Sequence, residues 1–340
     1  MNLSVRRVFL QLLAFLSWNH CTAQGEQQCV LENREGEPKG ILVPAVQCAT
    51  FWEQLEHGDF HATDDERRLV CCPVFQSEPN CGRISQYADV FSFDSRETQL
   101  DQFTWAAVIL PRWIKKVLCS GSLISTRFVL SAAHCFVDAS GVSKPESNYR
   151  VRLGDWDLAN DEDCMYVRGV YVCNLHQPKD YAVEKIISHA SFHQGRKDFL
   201  HDIALLRLAK SVEYSFQIGP ACLPEWNIEV PDIVDQKLVA TGWGRTNAFM
   251  GFNRKYKLEM LGRNISTCVK IYALREADVS RIHLCARGAR RRDVCYGDSG
   301  GGLMRREANH WLQGSETVDL TTGDMQRSEL KNGSVWDRVM

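Results

Sequence analysis

Short apolar runs separated by polar and turn-forming residues characterise the chain from about residue 100 onward. The runs at 128–130, 151–153, 203–208 and 238–241 are only three to six residues long, and glycine and asparagine punctuate the segments between them. Runs of this length fit strands, because helices need longer segments with a repeat of 3.6 residues. The pattern therefore predicts an all-β domain, with a barrel as its expected form.

The beginning of the chain has the pattern of a secretory signal peptide. Arg6 and Arg7 precede an apolar run at 8–18, and Cys21 and Ala23 are small residues that suit cleavage after position 23. The run is shorter than the roughly 20 residues that a membrane-spanning helix requires. We interpret 1–23 as a signal peptide and expect a secreted, extracellular chain without a membrane partner.

Composition narrows the class of protein further. A chain of 340 residues has room for one large domain and one small one. The formal net charge of −2 provides no general electrostatic attraction for nucleic acid or for an anionic membrane. The 14 cysteines of a secreted chain predict disulfides rather than metal ligation, so we expect no metal and no cofactor. Loss of Cys21 with the signal peptide leaves an odd number of cysteines.

Three short motifs carry side chains for nucleophilic catalysis: SAAHC at 131–135, HD at 201–202 and GDSGG at 297–301. A serine hydroxyl becomes a strong nucleophile when a base takes its proton and a third group orients that base. His134 would be the base, Asp202 the orienting acid and Ser299 the nucleophile. The apolar run at 203–208 would carry Asp202 on a buried strand.

These motifs and their order resemble the secreted trypsin-like serine proteases. The resemblance implies a catalytic domain of two β-barrels over 92–314, with the roles just given to the three side chains. It also implies an oxyanion hole formed by the backbone N–H groups of Gly297 and Ser299. Asp293, six residues before Ser299, would form the floor of a pocket for arginine or lysine. The alternative for Asp293 is an exposed acid among neighbouring arginines.

The cysteines that precede this domain resemble those of the clip domain of arthropod clip-domain proteases. Cys29, Cys48 and the Cys-Cys-Pro sequence at 71–73 carry the resemblance, although Leu42 stands where the family has a further cysteine. We therefore predict a clip-like domain at 24–72 and a linker at 73–91. Alternatives for the first segment are an unrelated two-bridge knot or a disordered prosegment.

The resemblance also implies disulfide pairings and a modification site. The implied disulfides are Cys29–Cys71, Cys48–Cys72, Cys81–Cys222, Cys119–Cys135, Cys164–Cys173 and Cys268–Cys285. The Cys81–Cys222 bridge would tether the two chains after cleavage. Asn264 begins a glycosylation sequence, Asn-Ile-Ser.

Activation in this family requires cleavage after a basic residue, and the new apolar N-terminus pairs with the aspartate before the serine, here Asp298. The resemblance puts that N-terminus near Ser92, where no lysine or arginine precedes it. The basic-apolar bond between Arg83 and Ile84 lies several residues too early. We therefore expect an unusual route of activation.

The C-terminal residues 315–340 form an atypical tail. The resemblance ends after Gly314, and no cysteine follows Cys295, which is therefore expected to be unpaired. The family's final strand and C-terminal helix have no counterpart in this tail, so we expect little proteolysis by the chain as written.

The resemblance favours a secreted serine endopeptidase zymogen with specificity for arginine or lysine in an arthropod haemolymph or innate immune cascade. Its partners would be protein substrates, such as other protease zymogens or prophenoloxidase-type targets, and serpin inhibitors. The alternative is a non-catalytic serine protease homologue that acts as a cofactor or decoy. The acids at 155, 157 and 161–163 suggest either a calcium loop or a solvated turn, and we interpret them as a solvated turn.

Overall fold

The structure is a computed structural model of the chain. It describes residues 28–29, 39–44, 69–74, 77–78, 80–84, 97–138, 142–167, 169–174, 177–189, 192, 200–223, 233–244, 253–273, 283–288, 294, 296–307 and 310–316. Within these residues, no helix has both the length and the apolar character to cross a membrane. The predicted signal peptide at 1–23 and residues 317–340 of the tail lie outside the described residues.

A small antiparallel sheet forms in the segment predicted to be clip-like. Its strands are β1 (Gln28–Cys29), β2 (Lys39–Pro44) and β3 (Leu69–Val74), in that order. Leu42 on β2 lies opposite Cys71 on β3. The predicted Cys29–Cys71 bond depends on side chains that are not described, and Cys48 of the second bond lies outside the described residues.

The first half of the larger domain is a closed, six-stranded antiparallel barrel. The strands of this half are β4 (Ala106–Pro111), β5 (Cys119–Leu123), β6 (Phe128–Ser131), β7 (Tyr149–Leu153), β8 (Cys164–Val167), β9 (Val170–Cys173), β10 (Lys179–Ser188) and β11 (Ala204–Leu208). The barrel order is β10-β11-β6-β5-β4-β7, while β8 and β9 form a separate hairpin. Two short 3-10 helices, Ala133–Phe136 and Glu146–Asn148, follow β6 and precede β7.

The second half contributes a five-stranded antiparallel sheet. Its strands are β12 (Lys237–Gly242), β13 (Tyr256–Arg263), β14 (Cys285–Gly288), β15 (Gly302–Glu307) and β16 (His310–Glu316), and helix α1 (Ile265–Ala273) follows β13. The sheet order is β14-β13-β12-β15-β16. Strand β16 continues past Gly314 to Ser315 and Glu316, which pair with Leu303 and Gly302. The prediction of an all-β domain containing a barrel is confirmed.

A continuous apolar core joins the two halves. The barrel core includes Trp243 and Met304, which belong to the second half of the chain. The indole N–H of buried Trp105 lies 3.1 Å from the sulfur of Met304. Phe103 packs edge-to-face against Trp105 at 5.7 Å and against Trp311 at 5.2 Å between ring centroids. Apolar residues of the runs at 128–130, 151–153 and 203–208 lie in this core, whereas Leu238 and Ala240 lie in a second core cluster within the five-stranded sheet.

The acidic turn after β7 differs from the solvated turn that the sequence suggested. Asp155, Asp157 and Asp163 are buried, at 2%, 6% and 1% exposure. The Asp163 carboxylate accepts the backbone N–H groups of Trp156 at 2.7 Å and Asp157 at 2.8 Å. A buried carboxylate is tolerated when donors satisfy it, so the turn folds around its acids instead of exposing them. The solvated-turn interpretation is wrong for these three residues.

The segment after β3 is fixed to the larger domain by a disulfide and by backbone hydrogen bonds. Cys81 is bonded to Cys222, across 141 residues of sequence. The N–H of Gly82 donates to the carbonyl of Pro220 at 2.8 Å, and the carbonyl of Gly82 accepts the N–H of Trp311 at 2.8 Å. The predicted tether is thus accompanied by backbone hydrogen bonds to Pro220, next but one to Cys222, and to Trp311 on β16.

We predict that Gly82→Ala destabilises the fold more than Gly169→Ala. Both glycines have positive φ, +57° and +90°, so both substitutions carry backbone strain. A Cβ on Gly82 would lie 2.1 Å from the carbonyl oxygen of Trp311, whereas one on Gly169 has only the Tyr166 hydroxyl at 3.9 Å. Thermal unfolding should show a further loss of about 2 kcal/mol or more for Gly82→Ala. Equal melting temperatures for the two variants would contradict this account of the tether.

Candidate active site

The pairing of two strands brings His134 and Asp202 to the same end of the barrel. Strand β6 ends at Ser131 and β11 begins at Ala204, and these two residues are direct partners in the antiparallel register. His134 follows β6 on the short 3-10 helix, and Asp202 precedes β11. Residues 68 positions apart in sequence therefore become neighbours because one strand leaves the barrel where the other enters it.

The contacts between these two residues fix the orientation of the imidazole ring. His134 Nδ1 lies 2.6 Å from Asp202 Oδ2, and the backbone N–H of His134 donates to Asp202 Oδ1 at 2.8 Å. Both carboxylate oxygens thus hold the histidine, one through its ring and one through its main chain. The ring nitrogen that does not face Asp202, Nε2, lies 3.7 Å from the sulfur of Cys135.

The pair stabilises the charged form of each partner. Burial by itself lowers the pKa of His134, but the charge of Asp202 and the hydrogen bond to it outweigh burial, so the pKa is raised. Burial likewise opposes ionisation of Asp202, yet His134 and backbone N–H donors hold the pKa of that carboxyl below its usual value. Asp202 is thus an anion at neutral pH and an acceptor for the ring N–H.

The glycine-rich loop packs against the residues that lead to His134. The Ser120 N–H donates to the carbonyl of Ser299 at 2.8 Å, and the Ser120 hydroxyl donates to the carbonyl of Gly297 at 2.8 Å. A Cβ on Gly300, where φ is +81°, would lie 2.3 Å from the Ser131 hydroxyl oxygen and 2.8 Å from the nitrogen of Ala132. The structure thereby brings all three motifs together, with the partly exposed Ser299 in this loop.

Asp298 points away from the barrel and into the second sheet. Its carboxylate is buried, at 3% exposure. The N–H of Gly244 donates to Oδ1 at 2.9 Å, and the hydroxyl of Tyr256 donates to Oδ2. The carbonyl of Asp298 also accepts the N–H of Gly301, at 2.9 Å. Asp298 thus connects the loop that carries Ser299 to the turn after β12 and to β13.

Four of the six expected disulfides are formed in the described part of the chain. They are Cys81–Cys222, Cys119–Cys135, Cys164–Cys173 and Cys268–Cys285. The bond between Cys119 and Cys135 ties β5 to the helix that carries His134. In this described part, two clusters contain side chains of the kinds that bind metals. One is His134 with Cys119 and Cys135, and the other is Glu162 with Cys164 and Cys173, so the sulfur atoms of both clusters belong to disulfides. Thiolates bind zinc, so neither cluster offers the ligand set of a zinc site.

Two further histidines, His189 and His201, stack on each other and contribute to packing, and His201 lies next to Asp202 in the chain. His189 and His201 stack with ring centroids 4.5 Å apart. Burial, followed by the charge of His201, lowers the pKa of His189 to about 4. His189 is therefore neutral at physiological pH.

The remaining expected site residues have different outcomes. Asp293 and Cys295 lie outside the described residues, although Val294 between them is buried. Asn264 is exposed, and its side-chain oxygen accepts the N–H of Ser266 at 2.9 Å at the start of α1. That position is compatible with the glycosylation predicted for Asn264, because it is open to solvent.

Three residues of the site were not identified from the sequence. Ser120, Gly244 and Tyr256 all contact the loop at 297–299. Ser120 follows Cys119 on β5, and a serine in a strand carries no signal for a loop contact. Gly244 follows Trp243 in a glycine-rich turn, which is the one local hint of a close backbone approach.

The comparisons with known proteins agree with this arrangement. The protein-family model described as Trypsin matches residues 93–327, so the match includes the first part of the tail. Phenoloxidase-activating factor 1 of Holotrichia diomphalia is 37% identical over 94% of this chain and 93% of its own. CLIP domain-containing serine protease B14 of Anopheles gambiae is 34% identical over 73% of this chain and 69% of its own. Melanization protease 1 of Drosophila melanogaster is 37% identical over 69% of this chain and 60% of its own.

The family model spans more than half of the chain, and the first of these relatives covers nearly all of it at over 30% identity. The site geometry, with its His–Asp pair and glycine-rich serine loop, is that of a serine endopeptidase. The chain belongs to the trypsin family, among the arthropod clip-domain serine proteases.

We predict that Asp202→Asn lowers the pKa of His134 below 6.5. The substitution removes the charge that raises the histidine pKa, while the burial that lowers it remains. A titration of the His134 ring signals by NMR, with the signals assigned from a His134→Gln variant, measures the shift. Asp180→Asn is the matched control, because Asp180 pairs with Arg150 and Arg152 instead. An unchanged or higher pKa in Asp202→Asn would contradict the prediction.

Proposed function

We propose that this chain is a secreted serine endopeptidase zymogen that cleaves after arginine or lysine in an arthropod haemolymph cascade. The observation that carries the proposal is the double contact between His134 and Asp202, together with the packing of the 297–301 loop against Ser131 and Ala132. Secretion is supported by the four disulfides, because such bonds persist in oxidising compartments.

In the proposed reaction, the Ser299 hydroxyl attacks the carbonyl carbon of the scissile peptide bond. His134 takes the hydroxyl proton through Nε2, and Asp202 keeps Nδ1 protonated and stabilises the imidazolium that forms. The backbone N–H groups of Gly297 and Ser299 would bind the oxygen anion of the tetrahedral intermediate. His134 then gives its proton to the leaving amine, and a water molecule, activated in the same way, releases the acyl group from Ser299.

Specificity and partners follow from the expected pocket and from the relatives. A carboxylate at Asp293, buried at the floor of the pocket, would remain unpaired opposite an apolar side chain, which is costly. Arginine or lysine would remove that cost. The names of the relatives refer to phenoloxidase activation and to melanization, so we propose protein substrates of that kind, such as prophenoloxidase or another protease zymogen, with serpins as inhibitors.

The chain order of domains fits this proposal. A clip-like segment at 24–72 and a linker at 73–91 would precede the catalytic domain, and the Cys81–Cys222 bond would keep both chains together after cleavage between them. The domain itself would extend from 92 to 314, ahead of the tail.

We predict that a fluorophosphonate probe labels Ser299 and that Ser299→Ala abolishes the labelling. The probe traps an activated serine and requires the triad and the oxyanion N–H groups but no substrate pocket. Labelling is followed on gels before and after limited proteolysis, with His134→Ala as a second variant expected to lose several orders of magnitude in rate. Clean cleavage without labelling would instead support a non-catalytic homologue that acts as a cofactor or decoy.

A further prediction concerns Asp293. In a chimaera whose residues 315–340 are replaced by an ordinary family C-terminus, arginine substrates should be preferred over phenylalanine substrates by their kcat/KM. Asp293→Asn should reduce that preference by about 10- to 100-fold, which corresponds to about 1–3 kcal/mol for an unmatched buried charge. The unmodified chain should cleave either substrate weakly. Equal cleavage of both substrates by the chimaera would refute the role of Asp293.

A further inference from the structure

The carboxylate of Asp298 is enclosed by the backbone of two glycines on β12 and the turn after it. A Cβ on Gly242 would lie 2.1 Å from Asp298 Oδ1, and one on Gly244 would lie 2.4 Å from Oδ2. The carboxylate therefore occupies a space that no side chain at these positions could share. Burial of this anion requires hydrogen-bond donors, because an unpaired buried charge costs several kcal/mol.

Tyr256 supplies one of these donors from inside the fold. It is the first residue of β13, is 6% exposed, and pairs with Gly242 of β12. Its carbonyl accepts the hydroxyl of Thr241 at 2.8 Å, which fixes the backbone at this point. Its own hydroxyl donates to Asp298 Oδ2, while the N–H of Gly244 serves Oδ1. Each carboxylate oxygen thus has a donor that the uncleaved chain provides.

The position of Asp298 determines the geometry of its neighbours. Gly297 and Ser299 flank it in sequence, and both of their carbonyls are held by Ser120. The carbonyl of Asp298 accepts the N–H of Gly301, so the loop is closed on both sides of Ser299. With the carboxylate anchored on one side and Ser120 on the other, the loop has little freedom to leave this conformation.

We propose that Tyr256 is a positioning residue that holds Asp298, and through it the Gly297–Ser299 loop, in the reactive geometry before any cleavage upstream of Glu97. The inference rests on the proposed function, in which Ser299 is the nucleophile. It also explains how a chain without a basic residue directly before Ser92 can have a reactive serine. A phenol inside the fold donates to the carboxylate with which a new N-terminus would otherwise pair. A phenol is a neutral donor, so the reactivity that it supports is basal.

The test uses the intact chain, verified as a single band on a reducing gel. Its rate of fluorophosphonate labelling and its kinetics of p-nitrophenyl acetate hydrolysis are compared with those of Tyr256→Phe. We expect labelling rate and kcat to fall about 10- to 100-fold, with KM within twofold, because the lost bond orients the loop rather than binding the ester. Near-UV circular dichroism and the melting temperature report whether the variant is folded.

Tyr149→Phe is the matched control. Tyr149 is buried in the barrel core, and its hydroxyl has no hydrogen-bond partner among the described residues, so this variant should react like the wild type. Asp298→Asn tests the same contact from the other side and serves if Tyr256→Phe does not fold. In a double-mutant cycle, the double variant should lose little more than either single variant.

The outcomes separate this inference from the proposed function. Tyr256→Phe labelled as fast as the wild type overturns the inference, as do additive effects in the cycle. Labelling of the wild type only after proteolysis also overturns it, but leaves Ser299 as the nucleophile. A wild type that is labelled neither before nor after proteolysis, or a Ser299→Ala variant labelled equally, overturns the proposed function itself.

Discussion

The contact of Ser120 with the loop at 297–299 is the interaction on which the site depends. His134 and Asp202 belong to the barrel, whereas Ser299 precedes a strand of the second sheet, so the catalytic geometry exists only where the two halves meet. Ser120 donates through its N–H to Ser299 and through its hydroxyl to Gly297, and its own carbonyl accepts the Ser131 hydroxyl. One residue of β5 therefore connects the serine loop to the strand that leads to His134.

The apolar core also holds the barrel and the second sheet together, next to the contact of Ser120 with the loop at 297–299. Trp105, at the end of a turn that precedes β4, packs on Phe103 and reaches Met304 of β15. Because interiors are close-packed, a shift of β15 would be felt at Trp105 and at the loop that leads into the strand. Buried aromatic contacts thus fix the position of the second sheet relative to the barrel. Hydrogen bonds from Ser120 then fix the position of the loop that carries Ser299.

The sequence predicts much of the fold and the identity of the main site residues, because the features that indicate them lie within short segments. Strand length, the glycines of the loop and the His–Asp–Ser order are all properties of short segments. The register that makes Ser131 and Ala204 partners, by contrast, follows from barrel closure and cannot be seen in either strand alone. The contact of Tyr256 with Asp298 cannot be predicted from the sequence for the same reason, because it joins residues 42 positions apart. A tyrosine in an alternating strand predicts only a buried ring.

The acidic turn shows the limit of composition as a guide. Five acids within nine residues suggest solvation, yet three of them are buried. Burial, and then the charge of Asp163, raises the pKa of Asp155 to about 7. Burial lowers the pKa of Lys255 to about 8, with Asp163, Asp155 and Asp101 opposing that shift. A buried cation just before β13, about 100 residues away in sequence, thus partly balances the acids, and no local pattern predicts such a contact.

The same lysine segment connects the site to the part of the chain where activation is expected. Thr98 donates through its N–H to the carbonyl of Lys255 at 3.0 Å, and Glu97 forms a backbone bridge with Tyr256. A segment of five residues spans at most about 18 Å, so an N-terminus freed near Ser92 would stay within that distance of Glu97. One freed at Ile84 would have a tether of 13 residues and a far larger volume to search. The Glu97–Tyr256 bridge therefore holds an N-terminus freed near Ser92 close to Asp298. Such an N-terminus would compete with the Tyr256 hydroxyl for Asp298 more effectively than one formed at the Arg83–Ile84 bond.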